Sequence, residues 1–413
     1  MTELLTTYRG FNRPSRMLMI NQFAINTGFY MLMPYLAGYL AGPLGLAGWA
    51  VGLVLGVRNF AQQGMFLLGG TLADRLGYKP LIVAGCLLRT GGFALLTIAN
   101  SLPALLIAAA ATGFAGALFN PAVRAYLAVD SQPRRVEAFA VFNVFYQAGI
   151  LFGPIVGLAL MAVDFRATAT GAAVVFGALT LAQLRALPQH TAEPKTATVL
   201  DDWRVVLANR PFLLFAAAMI SSSVLAFQVY LALPVHAARI VGADSATALM
   251  TAVFVLSGVI AIAGQLRITR WFGQRWGRVD SLARGMAILA SAFLPLLSVP
   301  GIGLGVWPAV GALLLTAAVL GVGAAAVFPF EMDTVVALSG NRLVATHYGV
   351  YNTIVGIGIL IGNLGIGTLL DATRDAGMSA LAWAALAAVG LIAAAGLFRL
   401  ARSGRLDEPI AAG

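Results

Sequence analysis

Four ionisable side chains stand where the chain offers them almost no polar company. Arg58 lies about twelve residues into the apolar run 46–71, and Arg89 about nine into the run 80–100. Glu331 and Asp333 follow Phe328-Pro329-Phe330 inside a third run, 307–338, where the proline should kink a helix. Placing a charge at the centre of a bilayer costs roughly 2.5–3.5 kcal/mol, so each must face protein or a wet cavity. An acid held there can take up a proton and exchange it against a substrate. Glu331 and Asp333 are the candidates for that coupling step. The alternative for both is a structural ion pair or, since Asp333 is about five residues from the next loop, a place at the wet end of the helix. Arg58 and Arg89 can line a cavity and bind an anionic group, or can hydrogen-bond to backbone carbonyls. Acids suit cationic ligands and arginines suit anionic ones, so the substrate's charge is left open.

Polar and aromatic residues recur at helical spacing around these charges. Gln22, Asn26 and Tyr30 form one stripe, and Arg58 with Gln62 a second. Asn143 with Gln147, Phe227 with Tyr230, and Tyr348 with Asn352 mark three more. Such stripes either hold helices together or line a ligand cavity. Aromatic rings with a few polar groups suit planar, amphipathic small molecules. His347, at the start of its run, suits an aqueous interface or a proton relay, while His190 and His236 lie in a linker and near an outer end. The sequence shows no metal-ligand cluster, phosphate-binding glycine loop or nucleophile constellation, so neither an enzyme nor a cofactor is expected.

The second chemical feature is a turn, Gly69-Gly70-Thr71-Leu72-Ala73-Asp74-Arg75-Leu76-Gly77-Tyr78-Lys79-Pro80, set between two long apolar runs. Its charges and backbone require hydration, which places it at a membrane surface. Gly70 is one helical turn before Asp74, on the face where a neighbouring helix could approach closely. Asp74 can pair with a base or cap a helix N-terminus. Arg124 is the expected base for Asp74, and Glu137 with Arg75 the expected second pair; such contacts would hold one of two access states.

These residues are positioned by an all-helical membrane protein. The 413-residue chain is 60% hydrophobic and 10% charged, against about 25% charged in soluble domains. Continuous apolar runs without alternation exclude a barrel. The net charge of +10 is dispersed in short loop clusters, which fits the orientation rule for membrane loops better than nucleic-acid binding. The single cysteine, Cys86, excludes an intrachain disulfide, and no cleavable signal peptide is evident. Twelve spans are expected: 17–41, 46–71, 80–100, 102–128, 136–162, 166–188, 211–240, 245–268, 280–299, 307–338, 343–370 and 379–400. Lysine and arginine fill alternate connections, from Arg9, Arg13 and Arg16 to Arg399, Arg402 and Arg405, whereas the opposite side holds only Arg166, Arg239 and Arg374. The bias predicts a multi-pass protein of the cell (inner or plasma) membrane with both termini, the linker and the turn in the cytoplasm.

A polar interruption divides the chain into 1–188, a linker 189–210, and 211–413. The halves repeat: Tyr30-x-x-x-Pro34 matches Tyr230-x-x-x-Pro234, and Gly149-Ile-Leu-Phe-Gly153 matches Gly358-Ile-Leu-Ile-Gly362. A degraded copy of the charged turn runs from Gly264 to Gly273. Three matches in one order predict two pseudo-symmetric six-helix bundles, with substrate bound near mid-membrane and alternating access by rocking of the halves.

Gly70-x-x-x-Asp74-Arg75-x-Gly77-x-Lys79 resembles the signature loop of the major facilitator superfamily, and Gly149-x-x-x-Gly153-Pro154-x-x-Gly157 resembles the glycine-proline packing motif of its drug:proton antiporters. From Val57-Arg58 through Gln62-Gln63-Gly64, Lys79-Pro80, Arg89, Gly92-Phe93 and Leu118-Phe119 to Pro121 the chain is similar to MdtH-type multidrug exporters. The resemblance implies a proton-coupled exporter of drug-like or amphipathic molecules, with helices 1, 2, 4, 5, 7, 8, 10 and 11 around the cavity. Two departures stand out. Asn21, Gln22 and Asn26 occupy a first helix that often carries an acid, and Ala109 stands where the fourth helix usually has an arginine. Expected partners are the substrate, protons and the bilayer, with no nucleic acid and a monomeric chain. The alternatives are an exporter of one metabolite or importer of an anionic nutrient using Arg58 and Arg89, or a non-transporting sensor or scaffold.

Overall fold

In hydrocarbon every backbone N–H and C=O needs a partner within the protein, and a helix supplies nearly all of them locally. In a computed structural model of the chain, residues 2–41, 43–161, 164–188, 198–298, 305–375, 378, 380–403 and 406 are described, and every regular element among them is a helix. Two compact units emerge: residues 2–209 with 339–353, and residues 210–338 with 354–413. Of the linker expected at 189–210, residues 189–197, His190 among them, lie outside the described residues.

The first unit contains α1 (Thr2–Arg9), α2 (Arg13–Tyr30), α3 (Met33–Ala41), α4 (Gly48–Gln63), α5 (Phe66–Leu76), α6 (Tyr78–Ile98), α7 (Leu102–Asp130), α8 (Arg135–Met161), α9 (Phe165–Ala186) and α10 (Val199–Ala208). The second contains α11 (Arg210–Phe227), α12 (Ala232–Ser291), α13 (Leu294–Ser298), α14 (Val306–Leu338) and α16 (Ala380–Arg402). Between the last two runs α15 (Val344–Asp375), which gives its first residues to the first unit and the remainder to the second.

Among the described residues nine helices are long and apolar enough to span a bilayer. Over the described residues the expected spans lie on helix, with breaks inside four of them. The seventh breaks over 228–231 and the ninth over 292–293, and α12 also leaves the helical region at Gly242, between the seventh and eighth. The first span breaks after Tyr30 into α2 and α3, and the second breaks at Gly64-Met65 into α4 and α5. The long α12 reverses at Gly277, where φ 71° and ψ −172° leave the helical region. Only glycine adopts that φ without strain. Gly77 does the same in the first unit, with φ 90° and ψ 157° between α5 and α6. This corrects the expected copy of the charged turn. Its reversal lies at Gly277, and Gly273 sits within the helix facing the Phe330 ring.

The other two repeats become the same structures twice. Tyr30 and Tyr230 both stand at a helix break, and Pro34 and Pro234 both fall in the first turn of the helix that follows. A proline is tolerated there because its missing N–H would have had no helical acceptor. Gly149, Gly153 and Gly157 of α8 seat α2, against Phe23 and Asn26, Tyr30, and Met31 respectively. Gly358 and Gly362 of α15 seat α11, against Ile220 and Val224. In each unit the fifth span therefore packs on the first through glycines that admit close approach.

Of the three prolines inside these helices, Pro121, Pro154 and Pro329, two show how a carbonyl left without its α-helical donor is accommodated. Pro329 removes the donor for Ala325, and Gln265 Nε2 donates to that carbonyl at 2.7 Å. Pro121 does the same for Ala117, where Gly69 of α5 lies so close that any Cβ would overlap the oxygen.

Candidate functional site

The charged turn is built from α5 outward. Asp74 is buried, and its carboxylate accepts from the backbone N–H of Thr346 (2.7 Å) and Ala345 (3.2 Å) and from the Thr346 hydroxyl (2.7 Å). These amides belong to the first turn of α15, whose N–H groups have no partner inside the helix. Asp74 thus caps α15 with a full negative charge at the positive end of its dipole. Gly70, one turn earlier, is pressed on Ala345 and Thr346, where a side chain would overlap the Ala345 carbonyl. Arg124, the expected base for Asp74, donates instead to Asn352 Oδ1 at 2.9 Å. Arg75 pairs with Asp202 at 2.8 Å, and Glu137 with Arg134 at 2.6 Å, three residues before it.

Asp202 comes from α10, a helix that begins in a capping box. Thr198 Oγ1 accepts from Asp201 N–H, and the Asp201 carboxylate accepts from Thr198 N–H. The Thr198 hydroxyl, which also donates to that carboxylate at 2.7 Å, and next the Thr198 N–H hold the Asp201 carboxyl below its ordinary range. From the same helix Trp203 Nε1 donates to Thr71 Oγ1 at 2.8 Å. The signature helix is therefore gripped from two sides, by α10 and by the start of α15. His347, expected at an aqueous interface, is 1% exposed, with Nδ1 bonded to the Leu343 carbonyl and Nε2 beside Asn209.

A second cluster lies deeper in the same unit. Arg58 donates to Asn59 Oδ1 (2.7 Å) and Gln62 Oε1 (2.8 Å), and its guanidinium rests over the Phe29 ring at 4.5 Å. Arg89, 5% exposed, lies over the same ring at 5.2 Å and over Phe176 at 5.4 Å. Gly116 leaves room for Arg89 beside Gln62, since a Cβ there would meet both Arg89 Nη2 and the Gln62 side chain. Among the described residues Arg89 has neither a hydrogen-bond nor an ion-pair partner, and no carboxylate faces Arg58. Arg89 sits eleven residues into the 21-residue α6, half-way along its span. Stacking on two rings supplies about 0.5–2 kcal/mol, less than the roughly 2.5–3.5 kcal/mol for a charge at that depth. The balance would be met by an anion.

The remaining stripes divide. Gln22, Asn26, Asn143 and Tyr348 are buried, with Asn26 Nδ2 donating to the Tyr146 carbonyl at 2.9 Å and Tyr348 edge-on to Phe139. Tyr30 and Gln147 are half-buried. In the second unit Phe227 and Tyr230 are exposed and continue into Phe254 as a ring cluster spaced 5.6 and 5.5 Å. Asp333 faces Arg278 at 3.6 Å, which is the structural ion pair weighed for it, and Glu331 is 8% exposed on the same helix. Sequence reasoning missed Phe29 and Phe176, which flank the arginines, and Thr346, which completes the Asp74 cap. Phe29 adjoins Tyr30 of the first stripe, and that proximity was the available signal.

The Major Facilitator Superfamily model matches residues 18–363. An uncharacterised MFS-type transporter of Mycobacterium tuberculosis is 64% identical over 396 residues, covering 95% of this chain and 94% of that protein. The multidrug resistance protein MdtH of Klebsiella pneumoniae is 27% identical, with 91% of each chain covered. Among solved structures, the transporter FucP in its outward conformation aligns with a TM-score of 0.72 at 16% identity, covering 94% of this chain and 99% of that one. The human organic anion transporter MFSD10 aligns at 0.68 and 18% identity, covering 93% and 99%. At those identities the likeness is one of fold.

Proposed function

We propose that this chain, which belongs to the major facilitator superfamily and is a membrane transporter, exports amphipathic small molecules that carry an acidic group, driven by protons. The observation that carries the substrate class is Arg89, buried at mid-span between two phenyl rings with no protein anion, beside Arg58 over one of those rings. An apolar, aromatic ligand with a carboxylate or sulfonate satisfies both the rings and the charges. The MdtH relative supports drug-like cargo. Glu331, a buried acid two residues after the kinking Pro329 in an apolar span, is the proposed proton carrier. The topology proposed from the arginine bias keeps both termini in the cytoplasm of a cell membrane. The Asp74 cap on α15 holds one access state.

The test uses the full chain in proteoliposomes with an imposed pH gradient and two fluorescent probes of similar shape, one an aromatic carboxylate and one a quaternary amine. The carboxylate is driven, Arg89→Gln weakens its binding by roughly 10–150-fold, and Glu331→Gln abolishes gradient-driven flux while leaving binding in place. Equal driving of the cation, or a carboxylate affinity indifferent to Arg89→Gln, refutes the substrate class. Undiminished flux in Glu331→Gln refutes the coupling assignment. The two arginines equally favour uptake of an anionic nutrient, and the gradient direction that drives flux separates import from export.

A further inference from the structure

Away from both clusters, an open groove of about 870 Å³ runs along the outer side of the first unit between α2 and α9. Its polar end holds Arg13 and Arg16, from the first turns of α2, and Arg185, from the last turn of α9. Its walls are apolar, with Met17, Ile20 and Val175 among them. None of the three guanidiniums has a hydrogen-bond or ion-pair partner among the described residues. Part-way along, Asn21 contributes a carboxamide to the lining; it is 3% exposed and its Nδ2 has no protein partner.

Dimensions narrow the occupant. From Arg13 to Ala24 the groove follows α2 for eleven residues, about 16 Å at 1.5 Å per residue. That is close to half of a hydrocarbon core of about 30 Å, the depth of one leaflet. Three uncompensated arginines at the head and an apolar trough below match one molecule best, an anionic phospholipid standing in the bilayer. We infer that the α2–α9 groove is a specific site for an anionic phospholipid, its phosphate on Arg13, Arg16 and Arg185, its ester region beside Asn21 and its acyl chain along the apolar walls. Basic pockets between membrane helices hold such headgroups by the same electrostatics. Under the proposed topology the site belongs to the cytoplasmic leaflet.

Native mass spectrometry of the full chain, released from detergent after titration with dioleoylphosphatidylglycerol or dioleoylphosphatidylcholine, tests this. Phosphatidylglycerol adducts form first. Arg13→Gln/Arg16→Gln/Arg185→Gln weakens them by on the order of a hundredfold, while the corresponding triple lysine variant retains them. Ala178→Trp, which fills the trough without touching the charges, weakens both lipids. Glycerol 3-phosphate, the headgroup without chains, fails to compete. Thermal melts matching the parent chain confirm that the variants are folded, and the lysine triple keeps the comparison decisive if the glutamine triple is not. Equal affinity for the two lipids, unchanged phosphatidylglycerol binding in the glutamine triple and Ala178→Trp variants, or full competition by glycerol 3-phosphate overturns the inference; the last result would mark a soluble phosphate site.

Discussion

Replacing Asp74 by alanine removes four hydrogen bonds at once, two from the backbone amides of Ala345 and Thr346, one from the Thr346 hydroxyl and a longer one from the Tyr78 hydroxyl. Loss of an N-cap costs about 0.5–2 kcal/mol, and a buried charge complementing a helix dipole adds up to ~2 kcal/mol. The amides left behind are buried, so water compensates them poorly. Together these give about 2–3 kcal/mol, which raises the frequency of local opening at the start of α15 by roughly 30–150-fold. Hydrogen–deuterium exchange followed by mass spectrometry reads this directly on peptides covering residues 342–350. In the parent chain the Ala345 and Thr346 amides exchange slowly. In Asp74→Ala they exchange faster by the stated factor, while peptides from α6 and α9 keep their parental rates. Asp74→Asn, which retains one carbonyl acceptor and loses the charge, falls between. A change of less than about threefold at residues 345–347 refutes the capping role and returns Asp74 to a topological charge.

Two further outcomes follow from single contacts. Gln265→Ala strips the donor from the Ala325 carbonyl and destabilises the second unit by about 1–3 kcal/mol. Pro329→Ala restores that carbonyl's helical donor, so in thermal melts the double variant should lose less than the sum of the singles, and strict additivity would refute the pairing. The Asp201 carboxyl, held below its ordinary range chiefly by the Thr198 hydroxyl and backbone bonds, stabilises α10 at neutral pH. Its depressed value means that this contribution is present above the unfolded-state pKa and is lost as pH falls through the lowered one. Exchange protection of residues 199–208 should therefore decline only in strong acid, and a decline near neutrality would contradict the assignment.

Much of the fold is legible along the chain because hydropathy and helix breaking are local properties. The apolar runs mark the spans since each must satisfy its backbone within itself. Tyr30-x-x-x-Pro34 and Tyr230-x-x-x-Pro234 mark the breaks since proline lacks a donor whatever surrounds it. The glycine pairs of α8 and α15 forecast close packing without naming a partner, and the structure supplies α2 and α11. The turn after α5 is readable at Gly77, but its counterpart was placed at Gly273 rather than Gly277. The spacing of small and charged residues favoured the earlier glycine, and only the backbone reversal distinguishes them.

Side-chain partners were another matter. Charge matching favoured Arg124 for Asp74, yet the carboxylate binds backbone amides 271 and 272 positions away. Amides are identical in every residue, so nothing in the sequence marks which pair will be aimed at an acid. Arg58 and Arg89 were visible as costly charges, but that both lie over Phe29, with Gly116 clearing the space beside them, depends on the rotation and depth of four helices. Sequence by itself determined the spans, the breaks and the charges that demanded an explanation, because bilayer thickness and backbone chemistry act residue by residue. Tertiary structure alone decided which groups answer those charges, because a contact across a helical bundle is set by packing and not by any pattern along the chain.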